Sequence, residues 1–250
     1  MKKLLAILLA LVMVLALVAC GAEKAPVEEA PAEEAPVEEA PAEEAPAEEA
    51  PAAMSYADYV AADLDAEVVV ECYVQNHQSW WDNKITVYAA DADGAYFLYE
   101  LACSEEDAAK LVPGTKIRVT GYKGEWQGEI EIMDATFEIL EGSWIADATD
   151  VTALLGTEDL IKHQNKKVVF KGMTIDAVEY KNGEPGDDIY VTVSKDGVSY
   201  SFCVERYLTG PETEVYAAVG ELQVGDIVDI EGFLYWYAGV NTHITGVSGK

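Results

Sequence analysis

Residues able to do acid–base or metal chemistry are few in this chain, and their spacing forms no catalytic pattern. The histidines are His77, His163 and His243, with no His-x-x-His or His-Glu-x-x-His spacing among them. The sequence also has no Cys-x-x-Cys pair, no Gly-x-Ser-x-Gly elbow and no phosphate-binding glycine loop. We therefore expect a protein that is not an enzyme and that needs no metal and no cofactor.

Aromatic side chains in polar stretches are the better candidates for contact with a ligand. The candidate binding residues are Trp80, Trp81, Trp126, Tyr235, Trp236 and Tyr237. Exposed aromatic rings beside Asp and Glu hold sugar rings in many proteins, and aromatic rings also stack on nucleic-acid bases. The alternative is that these rings cover the ends of the domains or fill the contact between them, because buried aromatics dominate packing energetics.

The four cysteines fall into two groups. Cys72, Cys103 and Cys203 lie in or at the ends of apolar strands, so we expect them to be buried free thiols. A disulfide between Cys72 and Cys103 is the alternative. Cys20 differs from these three because it ends an apolar run near the N-terminus.

The N-terminus has the organisation of an export signal. Lys2 and Lys3 precede an unbroken apolar run from Leu4 to Ala19. A short positive region, an apolar run and a small-residue cleavage site are typical of a signal peptide. A transmembrane helix needs about 20 apolar residues, and this run stops short of that at Cys20. The sequence therefore predicts export.

Leu17-Val18-Ala19-Cys20, followed by Gly21, resembles the lipobox of bacterial lipoproteins. The resemblance implies that residues 1–19 are a lipoprotein signal peptide and that the thiol of Cys20 takes a diacylglyceryl group. The new N-terminus can be acylated as well, and two or three acyl chains anchor a protein durably. The expected localisation is the outer face of the cell membrane, with lipidated Cys20 as the anchor.

Residues 20–53 are predicted to be the lipidated cysteine followed by a disordered linker. Units such as Ala30-Pro31-Ala32-Glu33-Glu34 recur along this stretch. Recurrent Pro blocks a continuous helix, and the Glu pairs repel one another, so the segment cannot bury enough apolar surface to order itself. Stretched at about 3.1 Å per residue, it could hold a domain on the order of 100 Å from the bilayer.

The chain is strongly acidic, with 46 Asp and Glu, 16 Lys and Arg, and a net charge of −30. The signal carries +2 of this charge and the linker −10, which leaves −22 on residues 54–250. A negative field of this kind repels phosphate backbones and anionic headgroups, so the charge disfavours nucleic acid as a partner. Solubility at a cell surface is the simpler explanation of the charge.

The chain after the linker contains an internal repeat, which predicts two domains. Each copy has a first strand, at 68–73 and at 167–172, then two alternating strands that meet at an Asp-Gly pair, which is a strong hairpin signal. A short helix and two more strands follow in each copy. The matching segments are 84–100 and 188–203 for the hairpins, 104–107 and 211–218 for the helices, 111–121 and 222–232 for the fourth strands, and 129–132 and 240–244 for the fifth.

The order strand, strand, strand, helix, strand, strand resembles the oligonucleotide/oligosaccharide-binding (OB) barrel. The resemblance implies a mostly β fold of two tandem five-stranded barrels, at residues 54–143 and 144–250, each with a short helix between its third and fourth strands. Two halves of one larger β-sandwich form the competing fold. In an OB barrel the loops between strands 1 and 2 and between strands 4 and 5 flank one binding face.

The candidate aromatic residues fall in those loops. Trp80 and Trp81 lie in the first such loop of copy one, Trp126 lies in the second, and Tyr235 to Tyr237 occupy the matching turn of copy two. The sequence thus predicts a cell-surface lipoprotein acting as a non-catalytic binding module for a glycan, peptide or protein partner, with Trp80, Trp81 and Trp126 exposed on one face. The alternative is a structural or assembly lipoprotein that docks an envelope complex.

Overall fold

The structure, a computed structural model, describes residues 51–249. The predicted signal peptide, Cys20 and the linker as far as residue 50 lie outside the described residues. Both barrels belong to one compact unit. None of the helices in the described part is long and apolar enough to cross a membrane.

The first barrel is a closed ring of five strands. Its elements are α1 (Tyr56–Ala61), β1 (Glu67–His77), β2 (Lys84–Ala90), β3 (Ala95–Ala102), α2 (Glu105–Ala108), β4 (Thr115–Trp126) and β5 (Glu129–Ser143). The strands follow the order β1-β2-β3-β5-β4, and β4 pairs back onto β1 to close the ring. The β3–β5 pair is parallel and the other pairs are antiparallel. This confirms the predicted OB-like barrel.

The second barrel repeats this topology. Its elements are β6 (Thr149–Asp150), two 3₁₀ helices (Thr152–Leu154 and Leu160–His163), β7 (Lys167–Tyr180), β8 (Ile189–Lys195), β9 (Val198–Val204), α3 (Glu214–Gly220), β10 (Ile227–Phe233) and β11 (His243–Ser248). The order β7-β8-β9-β11-β10 matches that of the first ring, and β10 pairs with β7 to close it. The fold is therefore two tandem barrels and not one sandwich.

Strand alternation explains why each barrel has its own core. Val68, Val70 and Cys72 of β1 are fully buried, whereas Glu67 and Glu71 on the other face keep contact with solvent. The second barrel fills its interior in the same way, with residues such as Phe170, Ile175, Val191 and Phe202. The cysteines take part in this pattern: Cys72, Cys103 and Cys203 are buried free thiols, as the sequence predicts.

Side-chain caps fix where the helices begin. The Ser104 Oγ accepts a hydrogen bond of 3.1 Å from the Asp107 backbone N–H at the start of α2, which confirms the predicted helix start. Thr213 does the same for α3, where its Oγ1 accepts from the Tyr216 N–H. Such caps satisfy backbone donors that have no partner within the helix.

Lys123 holds the end of α1 against the first barrel. Its Nζ donates to the carbonyl oxygens of Tyr59, Val60 and Ala62 at 3.1, 2.9 and 2.7 Å. These carbonyls belong to the last turn of α1, where intrahelical partners are missing. Burial lowers the pKa of the Lys123 amine. The strand residue thus attaches the helix, and Tyr59 is buried in the core.

The two Asp-Gly pairs lie in different kinds of connection between strands. Asp196 and Gly197 form a two-residue turn between β8 and β9, with φ of 50° and 80°. Asp93 and Gly94 belong instead to a longer connection, in which Asp91 Oδ1 accepts from both of their N–H groups. Gly94 is required for another reason, because a Cβ there would overlap the ring of Tyr56.

An aromatic cluster joins the barrels. Tyr88 of β2 and Phe97 of β3 meet Phe233 of β10, and all three are buried. The Tyr88 and Phe233 rings stack with centroids 4.4 Å apart and planes at 8°. The Tyr88 hydroxyl also forms a hydrogen bond of 2.9 Å with Nδ1 of His243 on β11. The second barrel therefore covers part of the outer face of β2 and β3.

Candidate ligand-binding groove

Of the three tryptophans placed together by the sequence, one is structural. Trp80 is half-buried against the core of the first barrel, and its Nε1 donates to the Cys103 carbonyl at 2.8 Å. This contact fastens the β1–β2 loop to the barrel. Trp81 and Trp126 are 74% and 57% exposed. Of the three indoles expected on one exposed face, Trp80 therefore has a structural role, and Trp81 and Trp126 are exposed.

The three aromatic residues of the second copy are divided in the same way. Tyr235 lies in the contact between barrels, stacked on His243 with centroids 4.4 Å apart and packed against Phe97. Trp236 is half-buried against the core of the second barrel. Tyr237 is exposed. Only the last of these three rings presents a free surface.

Trp126 lies on a turn that contacts the other barrel. Ala238 N–H donates to the Gln127 carbonyl at 2.8 Å, and a Cβ on Gly128 would come within 2.8 Å of the Trp236 ring. The two loops that join fourth and fifth strands therefore pack on each other. Trp126 is exposed beside this contact, and the groove that contains Trp81 is lined by other residues.

A groove of about 320 Å³ lies along the outer face of β2 and β3 of the first barrel. Its walls are formed by Gln78, Ser79, Trp81, Lys84, Ile85, Thr86, Tyr99, Glu100 and Tyr207. Three exposed rings surround it: Trp81 from the β1–β2 loop, Tyr99 from β3 and Tyr207 from the second barrel. Strands 2 and 3 with their flanking loops are where OB barrels bind their ligands.

Two of these rings are absent from the candidates drawn from the sequence. Tyr99 could have been found from strand alternation, because it lies two residues after Phe97 and shares its outward face. Tyr207 follows the last strand of the second hairpin in a short polar loop, and nothing local marks it. Only the packing of one barrel on the other brings it to the groove.

Backbone hydrogen bonds hold Trp81 in place. Trp81 and Lys84 exchange N–H···O bonds of 3.0 Å around a turn in which Asp82 and Asn83 have φ of 50° and 59°. Such positive φ values define a tight two-residue hairpin turn. The exposed indole is therefore carried by a short, hydrogen-bonded turn, which lowers the entropy lost on binding.

Tyr207 is fixed by contacts with both barrels. Its carbonyl accepts hydrogen bonds from Ser79, at 2.7 Å from the backbone N–H and 3.3 Å from Oγ. The guanidinium of Arg206 lies 5.0 Å from the centre of its ring. Asp188 Oδ1 accepts from the Arg206 N–H and so restrains this loop. Residues of both barrels therefore line the groove.

The floor of the groove carries polar groups of both kinds. Lys84 Nζ and Glu100 Oε2 form an ion pair of 2.6 Å, and Thr86 Oγ1 accepts from the Glu100 N–H. The hydrogen bond to Glu100 raises the pKa of Lys84. Glu100 has a φ of 47°, an uncommon conformation for a non-glycine residue, and such strain clusters at functional sites.

A second hollow of about 460 Å³ adjoins the groove. It shares Lys84, Tyr99 and Glu100 with the groove and extends past Asp82 to Asp134. These three residues therefore line both hollows. No cluster of three potential metal ligands occurs within residues 51–249. The arrangement offers ring stacking and hydrogen bonds along an extended surface.

No protein-family model matches the chain, and no curated protein matches it. Similar solved structures include a murine DNA-binding protein bound to double-stranded DNA, with 9% identity over 71% of this chain and 90% of the other, at a TM-score of 0.35. The Ifi202 HINa domain in complex with a 20 bp double-stranded DNA has 8% identity over 74% and 99%, at 0.34. A replication protein A heterotrimer bound to single-stranded DNA has 12% identity over 72% and 49%, at 0.32.

These structures correct one expectation. The acidic charge was expected to disfavour nucleic acid as a partner, yet the similar chains come from structures that contain bound DNA. The sign of the net charge is therefore not a sufficient reason to set that class of ligand aside, because binding depends on the local groups at a site. Identities of 12% or less assign no ligand to this chain.

Proposed function

We propose that this protein is a lipoprotein of the outer cell surface whose paired OB-like barrels bind a glycan in the groove between Trp81, Tyr99 and Tyr207. The observation that supports the proposal most is the convergence of three exposed rings, from both barrels, around one concave surface. Concave sites of about 300–1,000 Å³ are typical of small-molecule binding, and the groove falls in that range.

The polar groups of the groove suit a carbohydrate. Sugar hydroxyls both donate and accept hydrogen bonds, so they need a mixed set of partners, and the Lys84–Glu100 pair supplies a donor and an acceptor side by side. Gln78 and Ser79 add further groups of both kinds at one wall. The adjoining hollow beyond Tyr99 extends the surface to more than one sugar unit.

A glycan array with the mature chain, carrying Cys20→Ser for solubility, tests the binding proposal. We expect Trp81→Ala to weaken the affinity for a bound glycan at least fivefold, since stacking on an aromatic ring contributes about 1–3 kcal/mol in the related case of nucleic-acid bases. Trp126→Ala is the matched control, because Trp126 is also exposed and lies outside the groove.

Single-stranded oligonucleotides belong on the same array. Equal losses for the two tryptophan variants would contradict the groove as the site. If the array retains oligonucleotides and not glycans, and Trp81→Ala loses this retention, the groove is still the binding site but its ligand is a nucleic acid. An array that retains neither, with pull-down of an envelope protein instead, would favour the docking role.

The lipid anchor has a separate test. Metabolic labelling with radioactive palmitate should label the full chain, and Cys20→Ser should abolish both the label and sedimentation with membranes, because the resemblance to a lipobox makes this thiol the acceptor. Cys103→Ser, which changes a buried thiol of the first barrel, is the control and should keep the label. Membrane association that survives Cys20→Ser would contradict the anchor.

A further inference from the structure

The hollow that adjoins the groove carries an excess of negative charge. Its walls include the carboxylates of Asp82, Glu100 and Asp134 and the ammonium group of Lys84. Lys84 Nζ already contacts Glu100 Oε2 at 2.6 Å, whereas no ion pair within residues 51–249 involves Asp134. Three carboxylates beside one ammonium group leave two negative charges uncompensated at this surface.

A bulge in β3 brings Glu100 to this surface. The pairing of β3 with β2 slips between Ile85 and Val87, where Tyr99 and Glu100 lie opposite the single residue Thr86. Tyr99 and Glu100 are both exposed although they are consecutive, whereas regular strand alternation would turn one of them inward. The bulge therefore places a ring and a carboxylate side by side on the outer face.

Asp134 lies in a matching bulge of β5, where the pairing with β4 slips next to Gly121. Asp134 is exposed, and its φ of 49° is close to the 47° of Glu100. Leu98 and Ile132 are paired across the parallel strands β3 and β5, and Glu100 and Asp134 each lie two residues beyond them. Two bulges on neighbouring strands thus present two carboxylates to one hollow.

The five-stranded ring does not require the bulge in β3. In the second barrel the corresponding strands β8 and β9 pair in continuous register from Ile189 to Lys195. A left-handed φ is also unfavourable for a glutamate, which lacks the short side chain that lets Asn and Asp adopt it. Bulges of this kind occur next to binding and active sites, where they redirect a side chain. The bulge is therefore better explained by the surface it creates than by closure of the barrel.

The aromatic groove and the acidic hollow form one continuous surface. Tyr99, Lys84 and Glu100 line both of them, so a chain of sugars stacked on the rings has its next unit at the carboxylates. A protonated amino group has three donors and no acceptor, which suits carboxylates. Hydrogen bonds between charged groups are also about twice as strong as neutral ones. A neutral sugar would leave the excess charge unpaired.

We propose that the glycan held by the groove carries free amino groups, and that Asp134 and Glu100 bind a protonated amino sugar in the adjoining hollow. The proposal rests on the proposed function, because the rings of the groove must hold the glycan chain. Lys84 offsets part of the charge of Glu100, so Asp134 is the residue that sets the specificity. The net charge of −22 on residues 54–250 also attracts a cationic chain.

The test compares two tetrasaccharides with the same backbone, β-1,4-linked glucosamine and β-1,4-linked N-acetylglucosamine. Calorimetric titration of the mature chain with Cys20→Ser at pH 6, where the free amino groups are protonated, measures both affinities. We expect the glucosamine tetramer to bind about fivefold more tightly, because an exposed ion pair contributes up to about this factor. Added salt should reduce the preference, since it screens exposed charges. The salt series needs no variant.

Asp134→Asn removes the charge and keeps the shape of the side chain, and Asn tolerates a left-handed φ. This variant should weaken the glucosamine tetramer and bring the two affinities within about twofold of each other. Asp65→Asn is the matched control, because Asp65 is also exposed, has a φ of 65° and lies outside the groove and the hollow. It should keep the full preference.

Equal affinities for the two tetramers, or a preference that survives Asp134→Asn, would overturn the proposal and leave glycan binding by the groove intact. Binding of a lysine tetrapeptide in place of both tetramers, with loss in Trp81→Ala, would also overturn it and would assign the groove to cationic peptides. The absence of any Trp81-dependent glycan from the array is a different result, because it contradicts the proposed function itself and this proposal with it.

Discussion

The residues that matter most in this protein owe their properties to neighbours that are far away in sequence. Glu129 begins β5 after a tight turn, and nothing in its local sequence marks it as buried. In the structure its carboxyl is buried and accepts hydrogen bonds from Gln164 and Trp236 of the second barrel. The position of Trp81 in a polar loop predicts a binding role from the sequence, whereas only the packing of the barrels places Tyr207 at the groove.

The pH dependence of stability should show the contribution of Glu129. Its folded pKa of about 8 exceeds its ordinary value of 4.5, so the folded state binds the extra proton between these values. The contribution of Glu129 to the free energy of unfolding is therefore largest below pH 4.5. This contribution falls by at most about 1.4 kcal/mol per pH unit as the pH rises toward 8. Urea unfolding at pH 6.5 to 8 measures this slope.

Glu129→Gln should flatten the slope in that range, and an unchanged slope would contradict the assignment. His243 acts in the opposite direction, because its pKa of about 4 lies below its ordinary 6.5. The unfolded state binds more protons between these two values, so stability falls as pH drops from 6.5 to 4. The range above pH 6.5 therefore excludes the His243 contribution, and the difference between wild type and Glu129→Gln in that range reports Glu129.

At the scale of elements, strand alternation and turn chemistry were enough to predict much of the fold. The paired hairpins, the helix that begins after Ser104 and the start of β5 appear where the patterns placed them, whereas β11 begins at His243, three residues after the predicted start at 240. The Asp93-Gly94 connection departs from the two-residue turn found at Asp196-Gly197, because Gly94 makes room for Tyr56 of α1. That contact joins distant segments, so a local pattern could not reveal it.

The attachment of α1 through Lys123 is the element-scale feature easiest to test. Lys123→Met should keep the apolar stem and remove the three hydrogen bonds to the last turn of α1, which leaves the part-buried carbonyls of Val60 and Ala62 without this donor. We expect a loss of roughly 1–3 kcal/mol in the free energy of unfolding, measured by urea titration. Lys110→Met, at an exposed lysine just after α2, is the control and should change stability little.

At the scale of the whole molecule, the contact between the barrels was the least predictable feature. Tyr88 and Phe97 alternate along β2 and β3 as outward residues, and their pattern resembles that of any half-exposed sheet. Their burial depends on Phe233, which lies over a hundred residues further along the chain. The sequence did indicate that aromatic rings could form the contact between copies, and Tyr235 fulfils that alternative.

The closure of both rings has a consequence for the membrane-anchored form that we propose. Many copies anchored to one membrane would collide often, and a free strand edge in such a population would invite neighbours to add strands to each other's sheets. Ten of the eleven strands in the described part lie within closed rings, and β6, which pairs only with β7, is two residues long and carries Asp150 in an ion pair with Lys171. Dense display of this protein should therefore proceed without polymerisation into shared sheets.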